Sequence, residues 1–151
     1  MLRPTFFFLL LVLLLASCDQ GTLMHSYQPL QENSWDRRDT VRFDLPVLPT
    51  EDKYNVLIGL RVTNSFPYES LILEVEQNYR NPIGHRVDTI KYRLADESGD
   101  LIEKGINYFQ YENQSLPLDL KKGQTGEIRI RHLMLREVLP GIMDVGIRVS
   151  R

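Results

Sequence analysis

Along most of the chain hydrophobic residues recur at every second position, the period of a strand with one buried face. Val41, Phe43 and Leu45 alternate with Arg42 and Asp44, and Pro46 and Pro49 close that segment. Val56, Ile58, Leu60 and Val62 share one face of residues 55–63, while Leu57, Gly59 and Arg61 form the other, which predicts a strand covered on both sides. Leu71, Leu73 and Val75 oppose Glu74 and Glu76, and residues 78–84 (Asn-Tyr-Arg-Asn-Pro-Ile-Gly) carry turn chemistry. Ile90, Tyr92 and Leu94 alternate with Thr89, Lys91 and Arg93. The tight turn at 96–100 then predicts a hairpin into residues 101–108. Two further alternations follow, one through Ile128, Ile130, His132 and Met134 and one through Met143, Val145, Ile147 and Val149. Only residues 133–139 read as helical, and Pro140-Gly141 limits them to a connector of a turn or two. Seven or eight short strands with almost no helix predict an all-β protein: an antiparallel two-sheet β-sandwich, immunoglobulin-like or jelly-roll-like. A closed barrel shares the same periodicity.

The N-terminus follows a different pattern. Arg3 precedes an unbroken apolar run at residues 6–15. That run is too short for a stable membrane span, which needs about 20 residues, but it fits the core of a secretory signal. It ends in Leu15-Ala16-Ser17-Cys18, which resembles a bacterial lipobox: cleavage between Ser17 and Cys18, with a diacylglycerol on the Cys18 sulfur. An ordinary signal peptide is the alternative. The chemistry suits cysteine, whose thiolate is a good nucleophile at modest pKa. The expected organisation is a signal peptide at 1–17, a lipidated flexible tether at 18–34 and a β-sandwich domain at 35–151. The tether is inferred from its polar, aperiodic composition with Gly21 and Pro29, and Trp35 marks the entry into the folded body.

Charge and cysteine content narrow the chemistry. Residues 18–151 hold 17 basic and 20 acidic side chains, which gives no nucleic-acid footprint. Once Cys18 is acylated no thiol remains, so disulfides, thiolate metal sites and a cysteine nucleophile are excluded. His25, His85 and His132 lack the short spacing that puts two ligands on one face, and His132 falls in register with Ile128 and Ile130 as a core residue. No nucleophile elbow or phosphate-binding glycine loop is present. Glu74 and Glu76 read as solvated strand positions. The chain is therefore expected to be no enzyme and to hold neither metal nor cofactor. The aromatics Trp35, Tyr79, Tyr92, Tyr108, Phe109 and Tyr111 read first as core and cross-strand pairs. The alternative is a platform for stacking on sugar rings, which would make the protein a lipid-anchored glycan-binding module.

Several stretches carry a family resemblance: the lipobox; Trp35 followed by Val41-Arg42-Phe43; Leu60-Arg61-Val62 leading to Phe66-Pro67-Tyr68; Leu71-Ile72-Leu73; Asp88-Thr89-Ile90; and Leu94-Ala95-Asp96 with Gly99. The most specific is the continuous run 134–147, Met-Leu-Arg-Glu-Val-Leu-Pro-Gly-Ile-Met-Asp-Val-Gly-Ile. Together they resemble the gliding-motility lipoprotein H family of Bacteroidetes. The chain departs from that pattern at Met134-Leu135-Arg136 and after the Gly99 turn, at residues 101–105. The resemblance implies an envelope-anchored component of gliding with no catalytic residues to carry over. Such a protein is expected to work by docking to other envelope or gliding-machinery proteins. Its membrane attachment would be the N-terminal lipid, a palmitate-type acylation, and its place the outer membrane, facing the periplasm. In the run 134–147, Leu135, Val138 and Leu139 are expected to cap the open end of the sandwich, Gly146 to permit close backbone approach or a bulge, and Arg136 either to pair with a carboxylate or to face a partner. Asp39-Thr40-Val41 and Asp88-Thr89-Ile90 resemble the Asp-Ser/Thr-aliphatic O-glycosylation site of Bacteroidetes, so Thr40 and Thr89 are candidate glycan carriers.

Overall fold

The structure, a computed structural model, describes residues 21–151; the signal segment 1–17, with Ser17, and the acylation residue Cys18 lie outside the described residues. Among the described residues ten strands are formed: β1 (Thr22–Pro29), β2 (Ser34–Asp36), β3 (Val41–Leu45), β4 (Tyr54–Val62), β5 (Ser70–Arg80), β6 (Gly84–Arg93), β7 (Phe109–Leu118), β8 (Thr125–His132), β9 (Val138–Pro140) and β10 (Ile142–Ser150). Two four-stranded sheets, ordered β1-β10-β4-β7 and β3-β8-β5-β6, are joined by a short β2-β9 ribbon. Every pairing is antiparallel. Each sheet ends on two edge strands, so the architecture is a two-sheet sandwich and not a closed barrel.

The alternating residues supply the core. Val56, Ile58, Leu60 and Val62 of β4 and Val145, Ile147 and Val149 of β10 meet Leu71, Leu73 and Val75 of β5 and Ile128 and Ile130 of β8. Inner faces of stacked sheets interdigitate in this way across about 10 Å. Polar bonds cross the same gap. The Tyr111 hydroxyl donates to the Leu94 carbonyl at 2.5 Å, the Tyr92 hydroxyl donates to the Ile58 carbonyl, and Gln77 Nε2 donates to the Pro117 carbonyl at 3.1 Å. Trp35 is fully buried, and its indole donates to the Asp39 carbonyl at 3.0 Å.

Several sequence expectations are corrected. The tether expected through residue 34 is instead structured from Thr22: β1 pairs with β10, from Thr22 opposite Ser150 to Pro29 opposite Asp144, and β2 follows. Its alternation was illegible because β1 is an edge strand with a register shift between Thr22 and Met24, which leaves most of its residues half-buried. The turn at 78–84 contracts to residues 81–83, since β5 runs on to Arg80 and β6 starts at Gly84. Residues 101–108 form no strand beyond an isolated bridge between Ala95 and Leu101; the chain crosses instead to the other sheet as β7. A register shift on β7 opposite Gly59, together with Pro117, scrambles the alternation there, and an edge strand tolerates both. Residues 133–139 are not helical: bends lead into β9. Of the three residues expected to cap the sandwich only Leu139 is buried, whereas Leu135 is 95% exposed and Val138 44%.

The connections sort into two ends. Residues 46–53, 81–83 and 119–124 gather where β1 begins, and there the Arg151 amide donates to the Gly21 carbonyl at 3.0 Å. Residues 30–40, 63–69, 94–108 and 133–141 gather at the opposite end, beside the β2-β9 ribbon.

Candidate functional site

At the end away from β1, the β8–β9 connection folds against β5 and the segment before it. The Leu133 amide donates to the Ile72 carbonyl at 2.9 Å, which brings residues 133–136 beside Tyr68 and Ile72. Tyr68, Ile72, Leu133, Met134, Leu135 and Arg136 line a mainly apolar hollow of about 290 Å³. Leu133 and Leu135 are exposed, and Arg136 is exposed with no ion-pair partner among the described residues. Exposed apolar side chains gathered in one patch with a polar rim mark an interaction site, which singly scattered ones do not. Sequence reading singled out Arg136. It missed Tyr68 and Ile72 as its neighbours because they lie more than sixty residues away and only the strand pairing brings them together.

Behind the hollow lies a supporting core. His132, fully buried at the end of β8, meets the Trp35 ring edge-on at 5.5 Å between centroids. Its Nε2 lies 3.2 Å from the Trp35 carbonyl. A carbonyl only accepts, so Nε2 carries a proton. Among the described residues Nδ1 makes no hydrogen bond. Burial depresses the imidazole pKa, an effect the Trp35 carbonyl partly offsets. This is the buried, hydrogen-bonded histidine the strand register predicts.

A second constellation covers the outer face of the β1-β10-β4-β7 sheet. Tyr27 pairs with Gly146, and Gly146 pairs with Gly59 on the next strand. The two glycines leave a trough in which the Tyr27 ring lies. A Cβ at Gly146 would come within 2.6 Å of that ring, and one at Gly59 would strike its hydroxyl. The ring thus crosses the whole sheet and donates to Glu112 Oε1 on β7 at 2.5 Å. The Arg61 guanidinium stacks on the other side, 4.1 Å from the ring centroid. Glu112 also faces His25 Nε2 at 3.2 Å, Gln110 Nε2 at 2.9 Å and Arg148 at 3.4 Å. Desolvation raises the Glu112 pKa, but the bonds from Tyr27 and His25 and the Arg148 charge outweigh it, and the net direction is down. The Tyr27 phenol is pushed well up, by burial first and then by Glu112, so it remains a donor. With Tyr27, His25 and Gln110 converging on Glu112 Oε1 and Arg148 beside Oε2, this cluster is built to fasten β1. The signal was legible in part, as mid-strand glycines at 59 and 146.

The outer face of the other sheet carries a shallow basin of about 310 Å³ lined by Thr40, Arg42, Glu74, Glu76, His85, Val87, Arg129 and Arg131. Its charges largely satisfy one another. Arg131 Nε donates to Glu74 at 2.6 Å, Arg129 pairs with Glu127 and approaches Glu76, and His85 Nδ1 lies 2.9 Å from Asn78 Oδ1 and 3.5 Å from Glu76. The two candidate glycosylation residues fall on this same face. Thr40 is half-buried ahead of β3, while Thr89 is exposed on the edge strand β6, opposite Glu74 and two positions beyond Val87. The Asp88 carboxylate is held by Arg86, which also reaches Asp119 at 3.0 Å.

The aromatic platform does not assemble. Trp35, Tyr79, Tyr92 and Tyr111 are buried, and each spends its polar atom inside the protein; Tyr79 accepts from the Asp119 amide at 3.0 Å while burial pushes its phenol up to about 12. Phe109 packs against the core, and Tyr108 alone is open to solvent. Among the described residues no three His, Cys, Asp or Glu side chains converge as a metal ion requires, and no helix is long and apolar enough to cross a membrane.

Comparison with known proteins agrees with the motif pattern. The family model of the GldH lipoproteins matches residues 22–149, and so includes β1 and runs nearly to the end of β10. The gliding motility lipoprotein GldH of Flavobacterium johnsoniae is 31% identical over 151 residues, covering 95% of this chain and 93% of that protein. Matched from its first described strand to its last, the chain belongs to the GldH lipoprotein family.

Proposed function

We propose that the protein is an envelope component of gliding motility that acts without catalysis, by docking to another envelope protein through the hollow at 133–136. Signal cleavage after Ser17 and acylation of Cys18 anchor it, and the domain faces the periplasm from the outer membrane. The observation that carries the docking reading is the exposed Leu133–Leu135 pair beside Arg136, whose guanidinium has no partner among the described residues. The geometry suits an apolar segment bearing a carboxylate. Desolvated apolar anchors with a charge at the rim are the usual layout of an interface centre. Thr40 and Thr89 are accessible enough to carry glycans, and neither lines the hollow.

The test places a photo-crosslinking residue at Leu133 in the native host and compares the wild-type surface with Leu135→Asp/Arg136→Glu. A defined adduct with one envelope protein, lost in the double variant together with surface spreading at equal protein level, is expected. Spreading at the wild-type rate with an undiminished adduct would refute docking at this hollow. Cys18→Ser tests the anchor separately: the precursor is expected to remain uncleaved and unacylated.

A further inference from the structure

We infer that the end of the sandwich opposite the hollow rests on the lipid surface, with Ile83 and Val47 at the interface and Lys121 and Lys122 against anionic headgroups. The inference rests on the acylation of Cys18 proposed above. Only three peptide units separate Cys18 from Gly21, and fully extended chain spans at most about 3.3–3.6 Å per residue. The lipid-bearing sulfur is therefore confined to within about 10–15 Å of Gly21, counting its own side chain. Gly21 is itself fixed: its carbonyl accepts from the Arg151 amide, and Thr22 already pairs with Ser150. No slack remains for the domain to stand away from the bilayer or to turn its other end toward it.

The side chains of this end fit that placement. Ile83, at the tip of the β5–β6 turn, is 93% exposed, and Val47, between Pro46 and Pro49, is 56% exposed. Lys53, Arg80, Lys121 and Lys122 belong to the same end, with Lys121 beside Ile83, and make no ion pair among the described residues. Unpaired lysines around protruding apolar tips are the composition of an interfacial surface, each basic group gaining from an anionic leaflet. Charge also separates the two ends. Residues 46–53, 80–84, 119–124 and 151 hold five basic side chains against three carboxylates. Residues 30–40, 63–69, 94–108 and 133–141 hold four against nine. An anionic leaflet attracts the first end and repels the second, so the electrostatic field favours the orientation that the short chain imposes.

Acylation leaves the mature protein without a free thiol, so a single introduced cysteine can be labelled uniquely. The mature acylated protein carrying Ile83→Cys or Leu135→Cys, each with an environment-sensitive fluorophore, is reconstituted into vesicles of phosphatidylethanolamine and phosphatidylglycerol containing nitroxide-labelled lipid. Both positions are more than nine-tenths exposed, so neither change disturbs packing. Quenching at position 83 and its absence at 135 are expected. Adding Lys121→Gln and Lys122→Gln to Ile83→Cys should lower the docked-to-undocked ratio about five-fold for each lysine neutralised, and raising salt should act in the same direction. Equal quenching at the two positions, or none at 83 in protein whose intact mass shows the diacylglycerol, overturns the inference and leaves acylation standing. A bare Cys18 overturns both.

Discussion

Replacing Gly146 by alanine should destabilise the protein only while Tyr27 is present. The added methyl would sit 2.6 Å from the Tyr27 ring, closer than van der Waals contact allows, with Arg61 packed on the ring's far side and Glu112 holding its hydroxyl. Overpacking of this kind costs about 1–3 kcal/mol, and displacing the ring also weakens a hydrogen bond to a charged acceptor worth about 1.5–3 kcal/mol. Gly146→Ala alone should therefore lower stability by about 2–4 kcal/mol. Tyr27→Ala alone loses the same bond and a half-buried ring, which together cost about 3 kcal/mol. In the Tyr27→Ala background the trough is empty. Alanine at 146 then relieves the backbone entropy of a mid-strand glycine and should be neutral or stabilising by about 0.5 kcal/mol. The double-mutant cycle thus predicts a coupling of about 2 kcal/mol or more between residues on neighbouring strands. Urea unfolding of the Cys18→Ser chain produced without residues 1–17, followed by circular dichroism, measures all four corners with m unchanged. An equal cost of Gly146→Ala in both backgrounds would show that the Tyr27 ring does not fill the glycine trough and that β1 is not fastened there.

Three further outcomes follow from the same geometry. His132 has a depressed pKa when folded, so the unfolded chain binds more protons below about pH 6.5; this stability is full above that value and falls as pH drops toward the folded pKa, so the urea midpoint of wild type should fall more than that of His132→Asn between about pH 7.5 and 5.5. Trp35→Phe should cost about 2 kcal/mol through the lost indole bond to Asp39 and reduced packing on His132, measurable in the same assay, and a change under about 0.5 kcal/mol would remove Trp35 as the anchor of the ribbon. Protein from the native host should show carbohydrate mass that Thr40→Ala and Thr89→Ala remove, and an intact mass equal to polypeptide plus lipid refutes glycosylation at both.

The sheets were legible wherever a strand is central and one of its faces is dry. β4, β5, β8 and β10 announce themselves because burial against the opposite sheet demands an apolar residue at every second position. β1 and β7 did not, and both are edge strands with register shifts; their residues answer to side-chain contacts across the outer face, such as Tyr27 with Glu112, more than to the core. The hollow was half legible. Arg136 stood out as a charge among apolar neighbours, but the assumption that Leu135 and Val138 were sealing a core misplaced them, since exposure is decided by how residues 133–139 bend and no local pattern encodes that. The aromatics misled in the opposite direction: their spacing permitted a platform, while their hydroxyls are consumed in bonds between the sheets.

The correction at β1 alters what kind of device an acylated Cys18 would make. A flexible tether over residues 18–34 would behave as a coil of roughly 20–25 Å mean extension, free to reorient, and force applied to the domain would first straighten it. With β1 paired along its whole length to β10, a pull on the lipid enters the sheet at once and is borne by a ladder of backbone hydrogen bonds loaded in shear. The strand β5, eleven residues long, spans about 36 Å at 3.3 Å per residue. On the proposed orientation, that length holds the hollow at 133–136 nearly a full domain height from the bilayer. A partner seated there is coupled to the membrane through a rigid body of fixed height, an arrangement suited to transmitting position and force, which a component of a motility apparatus needs and a loosely tethered binding module does not.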